Sequence, residues 1–178
     1  MKTLLYSTFQ GNAATEYGKK MEEEIEKEVY KMYEGVEISH PSLTADSKHK
    51  FLAGSPDGIG KHDNETFLLE YKAPYSLFEG EKDAADAQFL CQKDDDISLS
   101  KKHNYFYQIQ GLLHIFQLPY CILVVAGHSD FVFVRVDRDD VFFRNRMFEQ
   151  LQEFYFRAIL PEIVFPMKRR GGLRKKLV

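Results

Sequence analysis

Residues 54–58 read Gly-Ser-Pro-Asp-Gly, and residues 69–72 read Leu-Glu-Tyr-Lys. Side chains alternate across an extended strand, so Glu70 and Lys72 share one face while Leu69 and Tyr71 take the other. Asp57, at the end of the preceding strand, reaches the same rim if the two strands pair. Two carboxylates converging to about 5 Å or less bind a hard divalent cation, Mg²⁺ or Mn²⁺, which prefers oxygen ligands and keeps several waters. Such an ion polarises a phosphoryl oxygen and activates a bound water, and Lys72 would orient that water or offset the charge of a phosphorane. Peptide, ester or sugar chemistry calls instead for an activated Ser or Cys, or for a carboxylate pair without lysine. The grouping therefore suits phosphodiester hydrolysis. Taken alone, a tight turn followed by an ordinary half-exposed strand accounts for the same residues without any chemistry.

The elements that must position these residues follow from periodicity. Residues 12–33 carry Tyr17, Met21, Ile25, Val29 and Tyr33 at intervals of four with Glu and Lys between them, the pattern of an amphipathic helix. A loop to Lys50 follows, then a strand from Phe51 into the SPDG turn. The turn-rich KHDNE at 61–65 precedes a strand over 66–72 that is bounded by Pro74. Residues 77–100, with the acidic run Asp94–Asp96, predict a short helix within a long loop. Residues 101–117 fit a helix ending before Pro119. The nearly continuous apolar run 119–126, the turn GHSD and the strand 131–136 lead to a final helix over 138–160. That helix has a wide face of Val141, Phe142, Met147, Leu151, Phe154 and Tyr155. The order predicts an α/β fold, a mixed central sheet flanked by helices.

The sequence resembles the phage lambda exonuclease family, the YqaJ-like viral recombinases of the PD-(D/E)XK nuclease superfamily. Four ordered blocks carry the resemblance: GNAATEYGKKMEEE, GSPDG, LLEYKAPYS and HNYFYQIQGLLHI. The third matches the family's E-x-K followed by a small residue, Pro and an aromatic, and the fourth its Tyr-x-x-Gln-x-Gln helix. The resemblance implies a restriction-endonuclease-like core and a metal-dependent DNA nuclease. The implied enzyme is an exonuclease acting on duplex ends in recombination, repair or replication, commonly digesting from the 5′ end. It implies Asp57 and Glu70 as metal ligands with the Tyr71 backbone carbonyl, Lys72 as the catalytic lysine, and Glu22 as the helix-borne acid near a second metal. Gln108 would support the active-site water or the lysine, with Gln110 nearby. A toroidal homotrimer and a single-strand-annealing or recombination partner are also implied. Members usually begin with a further helix carrying an Arg and a Thr/Ser-Ala-Ser element that helps to hold the 5′-phosphate; by the resemblance, this sequence is expected either to start after it or to have lost it.

Composition sets the frame. The chain has 178 residues, 44% hydrophobic and 29% charged, which predicts one domain over 1–167 with a sizeable core. Net charge is −3, but the last eleven residues, KRRGGLRKKLV, hold six basic side chains and no acid. A flexible basic tail over 168–178 on an acidic body is expected, able to contact phosphates or to act as a nuclear-import signal. No apolar run approaches the ~18 residues a membrane span needs, and MKTLLYSTFQG has no cleavage site. An intracellular protein, cytoplasmic or nuclear, is expected. Cys91 and Cys121 read as free thiols. His103 reads as a phosphate contact and His114 as structural, while Tyr105 and Tyr107 fit base stacking or the core. The rival readings are a non-catalytic nucleic-acid-binding module on the nuclease fold, and an endonuclease or RNA-cutting relative.

Overall fold

The computed structural model describes residues 11–94 and 96–166. The expectations for residues 1–10 and for the basic tail 168–178 lie outside the described residues. The described residues divide into two compact units, one ending at Asp140 and the other beginning at Val141.

In the first unit the periodic stretch near the start forms α1, Ala13–Met32. Asn12 caps it, its side-chain oxygen accepting from the Thr15 backbone N–H at 3.0 Å. Ile25 and Val29 are fully buried, and Met21 and Tyr33 continue the stripe at the predicted spacing of four. Five strands make the central sheet: β1 (Glu37–Ser39), β4 (Gly58–His62), β5 (Glu65–Lys72), β8 (Tyr120–Ala126) and β9 (Phe131–Asp137), in the order β1-β4-β5-β8-β9. Only β5 and β8 run parallel. A parallel pair needs a long crossover, and residues 73–119 supply it, including α3 (Asn104–Phe116). The β4–β5 hairpin closes on Asp63 and Asn64, both left-handed with φ of 47° and 67°. Such a two-residue turn matches the twist of the strands.

Register decides what each face of the sheet holds. Phe67, Leu69 and Tyr71 of β5 join Tyr120, Ile122 and Val124 of β8, and this face packs against α1. Leu68, Glu70 and Lys72 pair with Cys121, Leu123 and Val125 on the other face, against which α3 lays Phe106, Ile109 and Leu113. Each fully buried Leu or Phe of these layers contributes about 2 kcal/mol. The strand carrying Glu70 is thus central and covered on both sides, not half-exposed. Gly60 is required where β4 crosses Phe67, since an added Cβ would stand 2.6 Å from the ring.

Three expectations change. Residues 77–100 hold more order than a loop with one short helix: α2 (Tyr75–Glu79), a 3-10 turn at Ala84–Asp86, and a hairpin of β6 (Leu90–Lys93) with β7 (Asp96–Leu99). Strands of four mostly exposed residues flanking a run of aspartates carry too little apolar alternation to be read. Second, β3 (Ala53–Gly54) pairs with β2 (Thr44–Ala45) in a separate ribbon, so Asp57 precedes β4 instead of ending a strand of the main sheet. Third, the last helical run, 140–164, contains two π-helical stretches, Phe143–Phe148 and Tyr155–Ile159. Widened turns shift a stripe drawn at 3.6 residues. Phe143, Met147 and Ala158 are buried, whereas Val141 and Phe154 are 65% and 40% exposed. Among the described residues, no helix is long and apolar enough to cross a membrane.

Candidate active site

Glu70 is the unusual residue of β5: a carboxylate 2% exposed, with Leu123 as its neighbour on β8. Burial pushes its carboxyl from 4.5 up to about 7, Asp57 adds to the rise, and Lys72 opposes it. Two donors hold one oxygen. Lys72 Nζ and Gln108 Nε2 reach Glu70 Oε1 at 2.9 and 2.8 Å. The other oxygen, Oε2, is buried without a hydrogen-bond partner.

Lys72 is fixed from several sides. Besides Glu70 it donates to the Tyr71 carbonyl at 2.9 Å and lies 4.0 Å from Asp57 Oδ2. Its ammonium stands 5.1 Å from the centre of the Tyr105 ring, a cation–π contact that steadies it. Asp57 is anchored in turn, its Oδ2 accepting the Tyr71 backbone N–H at 2.6 Å. The SPDG turn therefore brings its aspartate to the end of β5 through one backbone hydrogen bond.

Glu22 approaches from the opposite side. It projects from α1, which covers the Tyr71 face, while Glu70 and Lys72 point to the α3 face. A cleft of about 440 Å³ opens on the α1 side between Glu22, Glu26, His40, Asp57 and Tyr71, and Glu70 and Lys72 do not line it. Burial, then the charge of Asp57, raises the Glu22 carboxyl above its ordinary value. Asp57, at the rim of the sheet, is the member that both sides share. Among the described residues, Glu22, Asp57 and Glu70 do not form a group whose ligand atoms all lie within 4.8 Å of one another.

Gln108 and Gln110 part company. Two residues apart on a helix is about 200° of rotation, so only Gln108 reaches β5. Gln110, 1% exposed, donates to the Asp137 carbonyl at 2.9 Å and accepts the Asp139 N–H at 2.7 Å. His103 caps α3, its Nδ1 accepting the Tyr105 N–H at 3.3 Å, and packs on the rings of Phe89 and Tyr105. Two neighbours escaped sequence reasoning. By sequence Tyr105 fits stacking or the core, and its place beneath Lys72 has no local signal. His40, in an ordinary Ser-His-Pro-Ser stretch, has Nδ1 2.8 Å from the Asp57 carbonyl oxygen and Nε2 3.2 Å from Glu26.

The sequence matches the model of the YqaJ-like viral recombinase domain over residues 1–119. The chain belongs to that family. No curated protein matches it significantly. Among solved structures, this YqaJ-like chain is similar to LHK-Exo in complex with dAMP, at 18% identity and a TM-score of 0.63, covering 96% of this chain and 80% of that one. It is also similar to an alkaline exonuclease, LHK-Exo, from Laribacter hongkongensis, at 19% identity and a TM-score of 0.62, covering 92% and 77%. At such identities the likeness establishes the fold alone, a mixed sheet flanked by helices.

Proposed function

We propose that this YqaJ-like domain is a divalent-metal-dependent deoxyribonuclease, an exonuclease that hydrolyses duplex DNA from its ends in recombination. The observation that carries the reading is Glu70: a buried carboxylate with one oxygen held by Lys72 and Gln108, the other without a donor, and the Asp57 carboxylate close enough to add to the rise that burial gives it. A carboxylate buried in this state is costly unless something positive completes it. The donor set at the rim is all oxygen, from Asp57, Glu70 and the Tyr71 carbonyl with Glu22 on the far side of Asp57, which fits Mg²⁺ or Mn²⁺ better than a softer ion. When bound there, such an ion would polarise the scissile phosphate and lower the pKa of an attacking water.

The protein's own groups then have distinct tasks. Lys72, held against Glu70, Asp57 and Tyr105, presents a fixed positive charge where negative charge builds on the phosphorus oxygens. Gln108 keeps Glu70 Oε1 turned toward Lys72, which would leave Oε2 available to a metal ion. The Tyr71 N–H keeps Asp57 from turning away. Glu22 lines the cleft on the α1 side, where it would orient a second ion or its waters. A trimer enclosing the duplex and an annealing partner belong to this proposal through the family resemblance.

The test uses end-labelled linear duplex, a covalently closed circle and a matched RNA duplex, each with Mg²⁺, Mn²⁺ or EDTA. Metal-dependent release of nucleotides from the linear DNA alone is expected. Nicking of the circle would instead identify an endonuclease, and metal-independent binding without product a non-catalytic module.

A further inference from the structure

A second cluster of potential ligands lies away from the Glu70 site. Asp46 follows β2, and its side chain is 3% exposed. Its Oδ1 accepts the backbone N–H groups of Lys48 and His49 at 3.0 and 2.5 Å, and Asp46 N donates to the Leu52 carbonyl at 2.9 Å, closing the loop 46–52. Two imidazoles face this carboxylate. His49 Nδ1 stands 3.2 Å from Oδ1, and His114 Nε2, from α3, stands 4.0 Å from Oδ2. Among the described residues this is the only trio of His, Cys, Asp or Glu whose donor atoms all lie within 4.8 Å of one another.

We propose that Asp46, His49 and His114 form a second metal centre, selective for a borderline transition ion such as Zn²⁺, that ties the loop 46–52 to α3.

Two imidazole nitrogens and one carboxylate oxygen suit Zn²⁺ and its neighbours in the transition series, and suit Mg²⁺ poorly. A tetrahedral zinc centre with bonds near 2.1 Å spaces its ligand atoms about 3.4 Å apart. The His49 contact to Oδ1, 3.2 Å, and the His114 contact to Oδ2, 4.0 Å, bracket that spacing. The His49 side chain is 37% exposed, so its ring can turn to shorten them and leaves a fourth position open to water. Oδ1 is already held by two backbone N–H groups, so Oδ2 is the oxygen for the ion. The hydrogen-bonded loop fixes the carboxylate in the way supporting contacts orient a metal ligand.

The placement gives the centre a purpose. The ribbon of β2 and β3 lies on α3 so closely that a Cβ on Gly54 would meet Leu112 Cδ2 at 2.5 Å. The same chain reaches Asp57 three residues after Gly54, and α3 carries Gln108. His114 lies six residues beyond Gln108, about 9 Å along the helix. An ion bridging Asp46, His49 and His114 would clamp together the two segments that deliver Asp57 and Gln108, without entering the Glu70 site. The inference stands on the cluster itself and does not depend on nuclease activity.

The test begins with chelator-stripped full-length protein carrying Asp57→Asn, which weakens the oxygen site. Zn²⁺ alone is titrated by calorimetry, and Co²⁺ alone serves as a spectroscopic probe. About one equivalent of Zn²⁺ should bind, Co²⁺ should develop the intense visible bands of a tetrahedral site, and Mg²⁺ should produce neither effect. Adding His114→Gln or His49→Gln should weaken Zn²⁺ by about 100-fold or more and abolish the Co²⁺ bands. Circular dichroism confirms the fold of each variant, and His49→Gln, on a half-exposed loop, decides the matter if His114→Gln does not fold. Zn²⁺ isotherms and Co²⁺ spectra unchanged by His49→Gln would overturn the proposal, as would the absence of binding in the parent.

Discussion

Gln108 of α3 donates its side-chain amide to Glu70 Oε1 of β5 at 2.8 Å, beside the Lys72 ammonium that meets the same oxygen at 2.9 Å. A neutral amide and a cation thus share one carboxylate oxygen and leave its partner oxygen for another positive group. Hydrogen bonds to a charged group contribute about 1.5–3 kcal/mol. Gln108→Ala is therefore expected to lower kcat by about tenfold to a hundredfold and to shift half-saturation by Mg²⁺ to higher concentration. Measuring rate against Mg²⁺ checks this; wild-type values for both would mean that the amide is incidental.

The raised Glu70 carboxyl makes stability depend on pH in a defined sense. Between 4.5 and about 7 the unfolded chain has released this proton while the folded chain retains it. The contribution is therefore fully present below 4.5 and is lost as pH rises through 7, at about 1.4 kcal/mol per unit and on the order of 3 kcal/mol in total. In EDTA, Tm should fall across that window, and Glu70→Gln should flatten the slope. Added Mg²⁺ or Mn²⁺ should restore Tm more strongly at pH 8 than at pH 5. An equal slope in wild type and Glu70→Gln would place the titrating group elsewhere.

Gln110 should behave in the opposite way to Gln108. Its amide satisfies the Asp137 carbonyl and the Asp139 N–H in the interior, and losing both bonds costs about 2–4 kcal/mol. Gln110→Ala is expected to lower the urea midpoint clearly while specific activity per folded molecule stays near that of wild type. If its activity falls as far as that of Gln108→Ala with stability intact, the division between the two glutamines is mistaken.

Glu22 lines the cleft and meets the others through charge alone: burial and then Asp57 raise its carboxyl, and Lys72 opposes the rise. Glu22→Gln should therefore slow cleavage less than Asp57→Asn, and a larger share of its defect should be recovered at high Mg²⁺. A loss equal to that of Asp57→Asn, unresponsive to Mg²⁺, would show that Glu22 belongs to the Glu70 group directly.

Much of this was legible in the chain itself. The four-residue stripe of α1, the turn at Asp63–Asn64 and the apolar run of β8 are local signals, and each gave its element. Strand alternation placed Glu70 and Lys72 on one face, as found. Alternation carried no information on depth, so it missed that β5 is central and that Leu123 buries Glu70. Nor could it place Glu22 across the sheet, since that depends on which face α1 covers. Helix periodicity would have separated Gln108 from Gln110, had their neighbours been known. Tyr105 beneath Lys72, His40 against Asp57, and the meeting of Asp46 and His49 with His114 are all products of long-range packing. The β6–β7 hairpin was lost for a different reason, its strands being too short and polar to show a period.

The proposed function requires that Glu70 and Lys72, with Asp57 at the rim, act as a metal-dependent phosphodiesterase centre. The decisive measurement is single-turnover digestion of 5′-labelled linear duplex with Mg²⁺, comparing wild type with Asp57→Asn, Glu70→Gln, Lys72→Met and, as a surface control, Glu24→Gln. EDTA-sensitive digestion is expected of wild type and Glu24→Gln, with a loss of about a thousandfold or more in each of the other three. Digestion by folded Glu70→Gln or Lys72→Met at the wild-type rate, or no digestion by wild type with any divalent ion, would contradict it.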